Sequence, residues 1–137
     1  MAVTTASPST QRFSLANHVG HALGLLLCAG NVLIGLTPGA REGDGYAGNI
    51  WVAFVVFGAI GAVALLASWF TRAGAPRRIG AVALVLVGVA SLGILFEPGI
   101  GTPGRIANSV GALLQFGTAA LVLLPGRGTS HRDGLDG

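Results

Sequence analysis

The sequence predicts an all-α membrane protein in which four transmembrane helices form a bundle. Four stretches contain no Asp, Glu, Lys or Arg: Phe13–Leu36, Ile50–Phe70, Ile79–Phe96 and Ile106–Leu124. Each is long enough, at about 20 residues, for an α-helix to cross a hydrocarbon core of roughly 30 Å. The connections between them are short, so we expect one transmembrane domain over 13–124, between polar tails at 1–12 and 125–137.

The composition favours a membrane over water as the solvent of this chain. Hydrophobic residues make up 52% of the sequence and charged residues only 9%, whereas soluble proteins carry about 25% charged residues. The 23 glycines would weaken soluble helices but are common where membrane helices pack closely. The net charge of +3 comes without a long basic run, so no nucleic-acid partner is expected. No soluble catalytic domain fits outside the spans.

The first span carries one face of small and polar residues. Spacings of four and three place its members on the same side of a helix: Asn17, His21, Gly24, Cys28, Asn31 and Gly35. Hydrophobicity cannot drive helix association in lipid, so such a face predicts close helix packing through small side chains and hydrogen bonds. A polar path or ligand site is the alternative. Cys28 is the only cysteine, which excludes an intramolecular disulfide and indicates a buried, inert thiol.

The other three spans have their own markers. In the second, Trp51 and Trp69 are 18 residues apart, about 27 Å along a helix, which matches the separation of the two interfacial belts of a membrane. The third ends in Glu97-Pro98-Gly99, as the first ends in Thr37-Pro38-Gly39, because proline cannot continue the helical hydrogen bonds. The fourth carries a second small and polar face: Asn108, Ala112, Gln115 and Ala119.

The second half of the chain looks like a degenerate copy of the first. The matched pairs are the two Pro-Gly ends, Asn49 with Asn108, Phe57-Gly58 with Phe116-Gly117, Gly20 with Gly80, and Asn31 with Ser91. This pattern predicts a duplicated helical hairpin. Because each unit has two spans, both copies keep the same orientation and form a bundle with pseudo-two-fold symmetry about the membrane normal.

The arginines predict the orientation of the bundle. Six of them fall on one side of a four-span topology: Arg12, Arg72, Arg77, Arg78, Arg127 and Arg132. Only Arg41 and Arg105 fall on the other side. Because cytoplasmic loops carry the excess of basic residues, we expect both termini and the connection Thr71–Arg78 in the cytoplasm of a bacterial cell. The protein would then be a multi-pass protein of the inner (plasma) membrane.

The candidate functional residues are polar side chains inside the spans: Gln115, Asn31, Ser91, His18 and His21. Gln115 lies near the centre of its span, where an unpaired amide is costly, and Asn31 and Ser91 could join its hydrogen-bond network. His18 and His21 are ionisable groups within a span, which marks them for an interfacial or structural role, a proton or substrate role, or metal or haem ligation. The sequence contains no paired carboxylates and no Ser/His/Asp set, so we expect no catalytic residue, no metal and no cofactor.

The Pro-Gly ends and the Asn-led helices that contain Phe-Gly resemble those of small four-span integral membrane proteins of high-GC bacteria. The resemblance covers about residues 13–125 and implies the four-span fold but no activity. Histidines are frequent in these proteins near the start of the second and fourth spans, where this chain reads Asn49-Ile50-Trp51 and Asn108-Ser109-Val110.

Three functional hypotheses follow. The first is a non-catalytic accessory or structural subunit of a membrane assembly, or a homo-oligomer, which acts through helix–helix contacts in the lipid bilayer. The second is a small-solute transporter or channel, formed by a homo-oligomer, with Asn31, Ser91 and Gln115 along the path. The third is a haem or metal redox module that uses His18 and His21.

Overall fold

The computed structural model describes residues 14–38, 41 and 45–125. Within them the chain forms four α-helices and a short 3₁₀ turn, with no strand: α1 (Leu15–Leu36), α2 (Gly45–Thr71), α3 (Gly74–Gly93), the turn Ile94–Phe96, and α4 (Thr102–Leu123). All four helices are long and apolar enough to cross a membrane. The predicted fold class is therefore confirmed. Arg12, Arg127, Arg132 and the two tails lie outside the described residues.

The helices pack as a bundle in which each one contacts its neighbours in the chain. Helix α1 also closes against α4, while the diagonal pairs hardly touch. One end of the bundle therefore contains the start of α1, the turn between α2 and α3, and the end of α4. We call it the arginine-rich end, because Arg72, Arg77 and Arg78 lie there. At the other end, the guanidinium of Arg41 lies 4.7 Å from the centroid of the Trp51 ring.

Three helices begin earlier than the hydropathy predicts, and α2 starts at Gly45 instead of Ile50. Helix α3 starts at Gly74 and α4 at Thr102, because backbone hydrogen bonds continue through the polar residues that flank an apolar stretch. The connection expected over Thr71–Arg78 is therefore only Arg72 and Ala73 long. The Thr71 hydroxyl donates to the carbonyl oxygen of Ala67 at 2.7 Å and accepts from the amide of Ala73 at 3.3 Å. Arg72 has a left-handed backbone with φ of 55°.

The surface of the bundle is more apolar than a soluble protein could maintain. Large hydrophobic side chains are exposed on every helix, among them Leu26 at 70%, Val63 at 68%, Val82 at 57% and Leu113 at 70%. Such a continuous apolar surface is the property of a protein that contacts lipid. The protein is therefore a multi-pass membrane protein.

The interior contains two apolar clusters. The cluster nearer the arginine-rich end contains Cys28, Leu65, Ala81, Leu84, Ala119 and Val122. The other contains Ile50, Phe54, Val87 and Ile94. All six members of the predicted face of α1 are buried, together with Gly20. On α4, Ala112, Gln115 and Ala119 are buried and Asn108 is half-buried.

Glycines allow the backbone of α1 to come close to the backbones of α2 and α4. A Cβ atom at Gly20 would lie 2.9 Å from the backbone nitrogen of Val122 on α4. A Cβ atom at Gly58 would lie 3.0 Å from the carbonyl oxygen of Cys28. Larger residues at these positions would push the helices apart. The small face of α1 therefore serves helix packing, as small residues do in membrane bundles.

The duplication of the hairpin stays a prediction. The matched residues Asn31 and Ser91 are both buried, as are Gly20 and Gly80. Their contacts differ, however, because a Cβ at Gly20 would meet the backbone of α4, whereas one at Gly80 would meet the side chain of Leu65 at 2.7 Å.

Candidate functional site

A polar network joins three helices at the arginine-rich end, and Asn17 is its centre. This side chain is fully buried. Its Nδ2 lies 2.9 Å from the carbonyl oxygen of Leu124, 3.2 Å from that of Val122 and 3.4 Å from that of Leu121. The last four carbonyl groups of a helix have no partner within the helix. Asn17 therefore caps the end of α4 from the start of α1.

The other end of the Asn17 amide caps its own helix. Its Oδ1 accepts from the Ser14 hydroxyl at 2.7 Å and from the Ser14 backbone amide at 3.1 Å. In return, the backbone amide of Asn17 donates to the hydroxyl oxygen of Ser14 at 3.3 Å. This reciprocal arrangement is a capping box with Asn in the place of Glu or Gln. It fixes which side of the amide faces α4. A serine before the helix start, followed three residues later by an asparagine, is the sequence pattern that could have indicated this capping box.

His21 connects α1 to α2 inside the same network. The ring is fully buried, with Nδ1 2.7 Å from the carbonyl oxygen of Asn17 and Nε2 3.2 Å from the hydroxyl oxygen of Ser68. A carbonyl oxygen can only accept, so Nδ1 carries the hydrogen, and in the neutral ring Nε2 accepts from Ser68. Both nitrogens are thus engaged: Nδ1 within α1, and Nε2 in the contact that joins α1 to α2. Nothing in the sequence distinguishes Ser68, since a single serine in an apolar helix is a weak signal.

The two histidines do not form one site, although both contact the same tryptophan. His18 is exposed, with Nδ1 3.0 Å from the carbonyl oxygen of Ser14, whereas His21 points into the bundle. Their rings pack edge-on against Trp69, with centroids 6.0 and 5.8 Å from its ring. Among the residues that the structure describes, no group of three His, Cys, Asp or Glu side chains is placed to hold a metal ion.

Asn31, Ser91 and Gln115 are buried, with 8%, 4% and 3% of their surface exposed. The Ser91 hydroxyl donates to the carbonyl oxygen of Val87, on its own helix, at 2.9 Å. The buried Nδ2 of Asn31 and the buried Oε1 of Gln115 have no hydrogen-bond partner within the described part of the chain. The hydrogen-bond network expected among these three residues is therefore not formed by direct bonds. The Asn31 amide thus keeps an unused donor and the Gln115 amide an unused acceptor within the described part of the chain.

The glycines of α1 and α4 differ in the space around them. Near the arginine-rich end, a Cβ at Gly20 would be 2.9 Å from the α4 backbone, and one at Gly24 would be 3.5 Å from Thr118. Farther along the same two helices, a Cβ at Gly30 or at Gly111 would meet nothing within 4 Å.

No protein-family model, no curated protein and no solved structure matches this chain. The function is therefore argued from the geometry of the bundle.

Proposed function

We propose that this protein is a non-catalytic subunit of a larger membrane assembly, or of a homo-oligomer, and acts through helix–helix contacts. Its buried polar groups support this role because they hold the helices of the bundle together. Asn17 bonds from α1 to the last carbonyl groups of α4, and His21 bonds from α1 to Ser68 on α2. The proposal therefore assigns these groups to making a rigid bundle whose outer surface is available to partners.

The observation that carries the proposal is a set of glycines on α1 and α4 that the bundle itself does not use. A Cβ at Gly30, Gly111 or Gly117 would meet nothing within 4 Å. Glycine in a helix costs about 1 kcal/mol relative to alanine. A small residue on a lipid-facing helix becomes favourable when another helix packs against it, since the backbones can then approach closely.

The test is native mass spectrometry after the protein is extracted from its own membrane into nanodiscs. We expect a stoichiometric complex with another membrane protein or with further copies of this chain. Gly117→Leu should weaken that complex at least tenfold, because the new side chain separates the helices. Gly74→Leu is the matched control, since Gly74 is equally open but lies at the first turn of α3. A protein that is recovered as a single copy without a partner would contradict the proposal.

A small-solute path is the second candidate, and the unpartnered Asn31 donor and Gln115 acceptor favour it. A small uncharged solute with both a donor and an acceptor would satisfy the two groups, which otherwise each cost about 1–3 kcal/mol when buried without a partner.

Flux measurements in proteoliposomes distinguish this candidate from the first. With glycerol or urea as the probe, Gln115→Leu should abolish a flux that depends on the amide. In a purely structural role, the same change should leave the free energy of unfolding unchanged or raise it, because it removes an unpartnered buried polar atom. Asn108→Leu is the control, since among the described residues its Nδ2 bonds to the carbonyl oxygen of Gly104, on its own helix, at 2.9 Å. If the wild-type protein passes neither probe, this candidate is wrong.

A further inference from the structure

A groove runs along the outer surface of the bundle between α2 and α3. It consists of two hollows of about 470 and 270 Å³, both lined in part by Ile60 and Ile79 and therefore continuous. Alanines such as Ala64 and Ala83 are buried beneath it, while Val63 and Ile79 are 68% and 52% exposed and form its rims. The lining is almost entirely apolar, so the groove suits a hydrocarbon chain.

The length of the groove matches one leaflet of a bilayer. Along α3 it extends from Pro76 to Leu86, which is about 15 Å of helix and about half of a hydrocarbon core of roughly 30 Å. A transmembrane helix from a partner would use a groove through both leaflets. An acyl chain from the leaflet at the arginine-rich end fits this shorter groove.

Positive charge is concentrated where the headgroup of such a lipid would lie. Arg78 lines the groove, and the neighbouring Arg77 is half-buried with its Nε buried and without a hydrogen-bond partner. Among the described residues the only carboxylate is Glu97, which follows α3 at the opposite end of the bundle. These arginines therefore have no carboxylate partner within the described part of the chain.

We propose that this groove is a binding site for an anionic phospholipid. One acyl chain lies between α2 and α3, and the phosphate of the headgroup contacts Arg78, which lines the groove. A net negative headgroup is favoured over a zwitterionic one, because the choline or ethanolamine cation of the latter would meet positive charge at the same end of the groove. Basic pockets between transmembrane helices recognise anionic headgroups by this charge complementarity.

The test is a competition between two lipids. The protein is placed in nanodiscs that contain equal amounts of dioleoylphosphatidylglycerol and dioleoylphosphatidylcholine, and native mass spectrometry counts the lipids that stay bound. We expect phosphatidylglycerol to be retained preferentially. Arg78→Gln should reduce this preference about fivefold, the effect of one basic residue near an anionic surface. Arg72→Gln is the matched control, because Arg72 carries the same charge at the same end but does not line the groove.

A second pair of variants tests the acyl-chain part of the site. Ala67→Leu places a larger side chain in the groove and should reduce the retention of both lipids. Ala120→Leu adds the same side chain at an exposed position of α4 and should leave retention unchanged. The proposal is overturned if the wild type retains both lipids equally, or if Arg72→Gln and Arg78→Gln have the same effect. It is also overturned if Ala67→Leu leaves lipid retention unchanged but weakens the association of two copies of this chain, since the groove would then bind a second copy and not a lipid.

Discussion

Replacing Asn17 by alanine should weaken the bundle by removing the bonds between the first turn of α1 and the last turn of α4. The Nδ2 group has two hydrogens for three carbonyl oxygens, at 2.9, 3.2 and 3.4 Å, and Oδ1 accepts two bonds from Ser14. The variant thus loses about four hydrogen bonds. At about 0.6 kcal/mol for each side-chain bond in a membrane protein, the free energy of unfolding should fall by about 2 kcal/mol.

The assay is reversible unfolding with SDS in lipid bicelles, followed by the fluorescence of Trp51 and Trp69. Asn108→Ala is the matched control, because its amide makes a single bond within its own helix, at 2.9 Å. We expect that control to lose less than about 1 kcal/mol. If Asn17→Ala costs no more than Asn108→Ala, the capping of α4 by Asn17 does not stabilise the bundle and the reasoning is wrong.

Three further predictions use the same preparation. Gly20→Ala should lower the free energy of unfolding by about 1–3 kcal/mol, because the new Cβ would lie 2.9 Å from a backbone nitrogen of α4. Gly117→Ala, in open space, should instead raise the free energy of unfolding by up to about 1 kcal/mol. Equal effects of the two variants would contradict the close packing at Gly20. A double-mutant cycle of His21→Phe and Ser68→Ala should give a coupling energy of about 0.6 kcal/mol, and additive losses would mean that this hydrogen bond contributes nothing. Cys28, which is 1% exposed, should react with N-ethylmaleimide only as fast as the bundle opens, so rapid labelling of the folded protein would place the thiol elsewhere.

Much of the candidate site could be read from periodicity. The small and polar face of α1 was predicted from spacings of four and three, and the structure buries all six of its members. Periodicity also selected Gln115 as a buried amide. It could not show that Gln115 and Asn31 keep unpartnered atoms, because hydrogen bonding between helices depends on side-chain positions that differ by fractions of an ångström.

The role of each histidine was beyond the sequence for a related reason. His18 and His21 are three residues apart, which places them about 60° apart around a helix, so both were equal candidates for one site. Only the packing of α2 against α1 decides that His21 points at Ser68 while His18 remains exposed. The partner in that contact is 47 residues away, and no local pattern identifies it.

The sequence by itself determined the solvent and the number of helices of this protein. Uncharged apolar stretches of about 20 residues match the hydrocarbon core of a membrane in length, and they cross it as helices because every backbone polar group there must be satisfied internally. The sequence also determined which faces of α1 and α4 are buried, since small residues are what allows helices to approach in lipid. The tertiary structure alone decided where the helices begin and which polar groups meet. It also formed the groove beside Arg78, because the way in which two helices pack against each other is not encoded in the periodicity of either one.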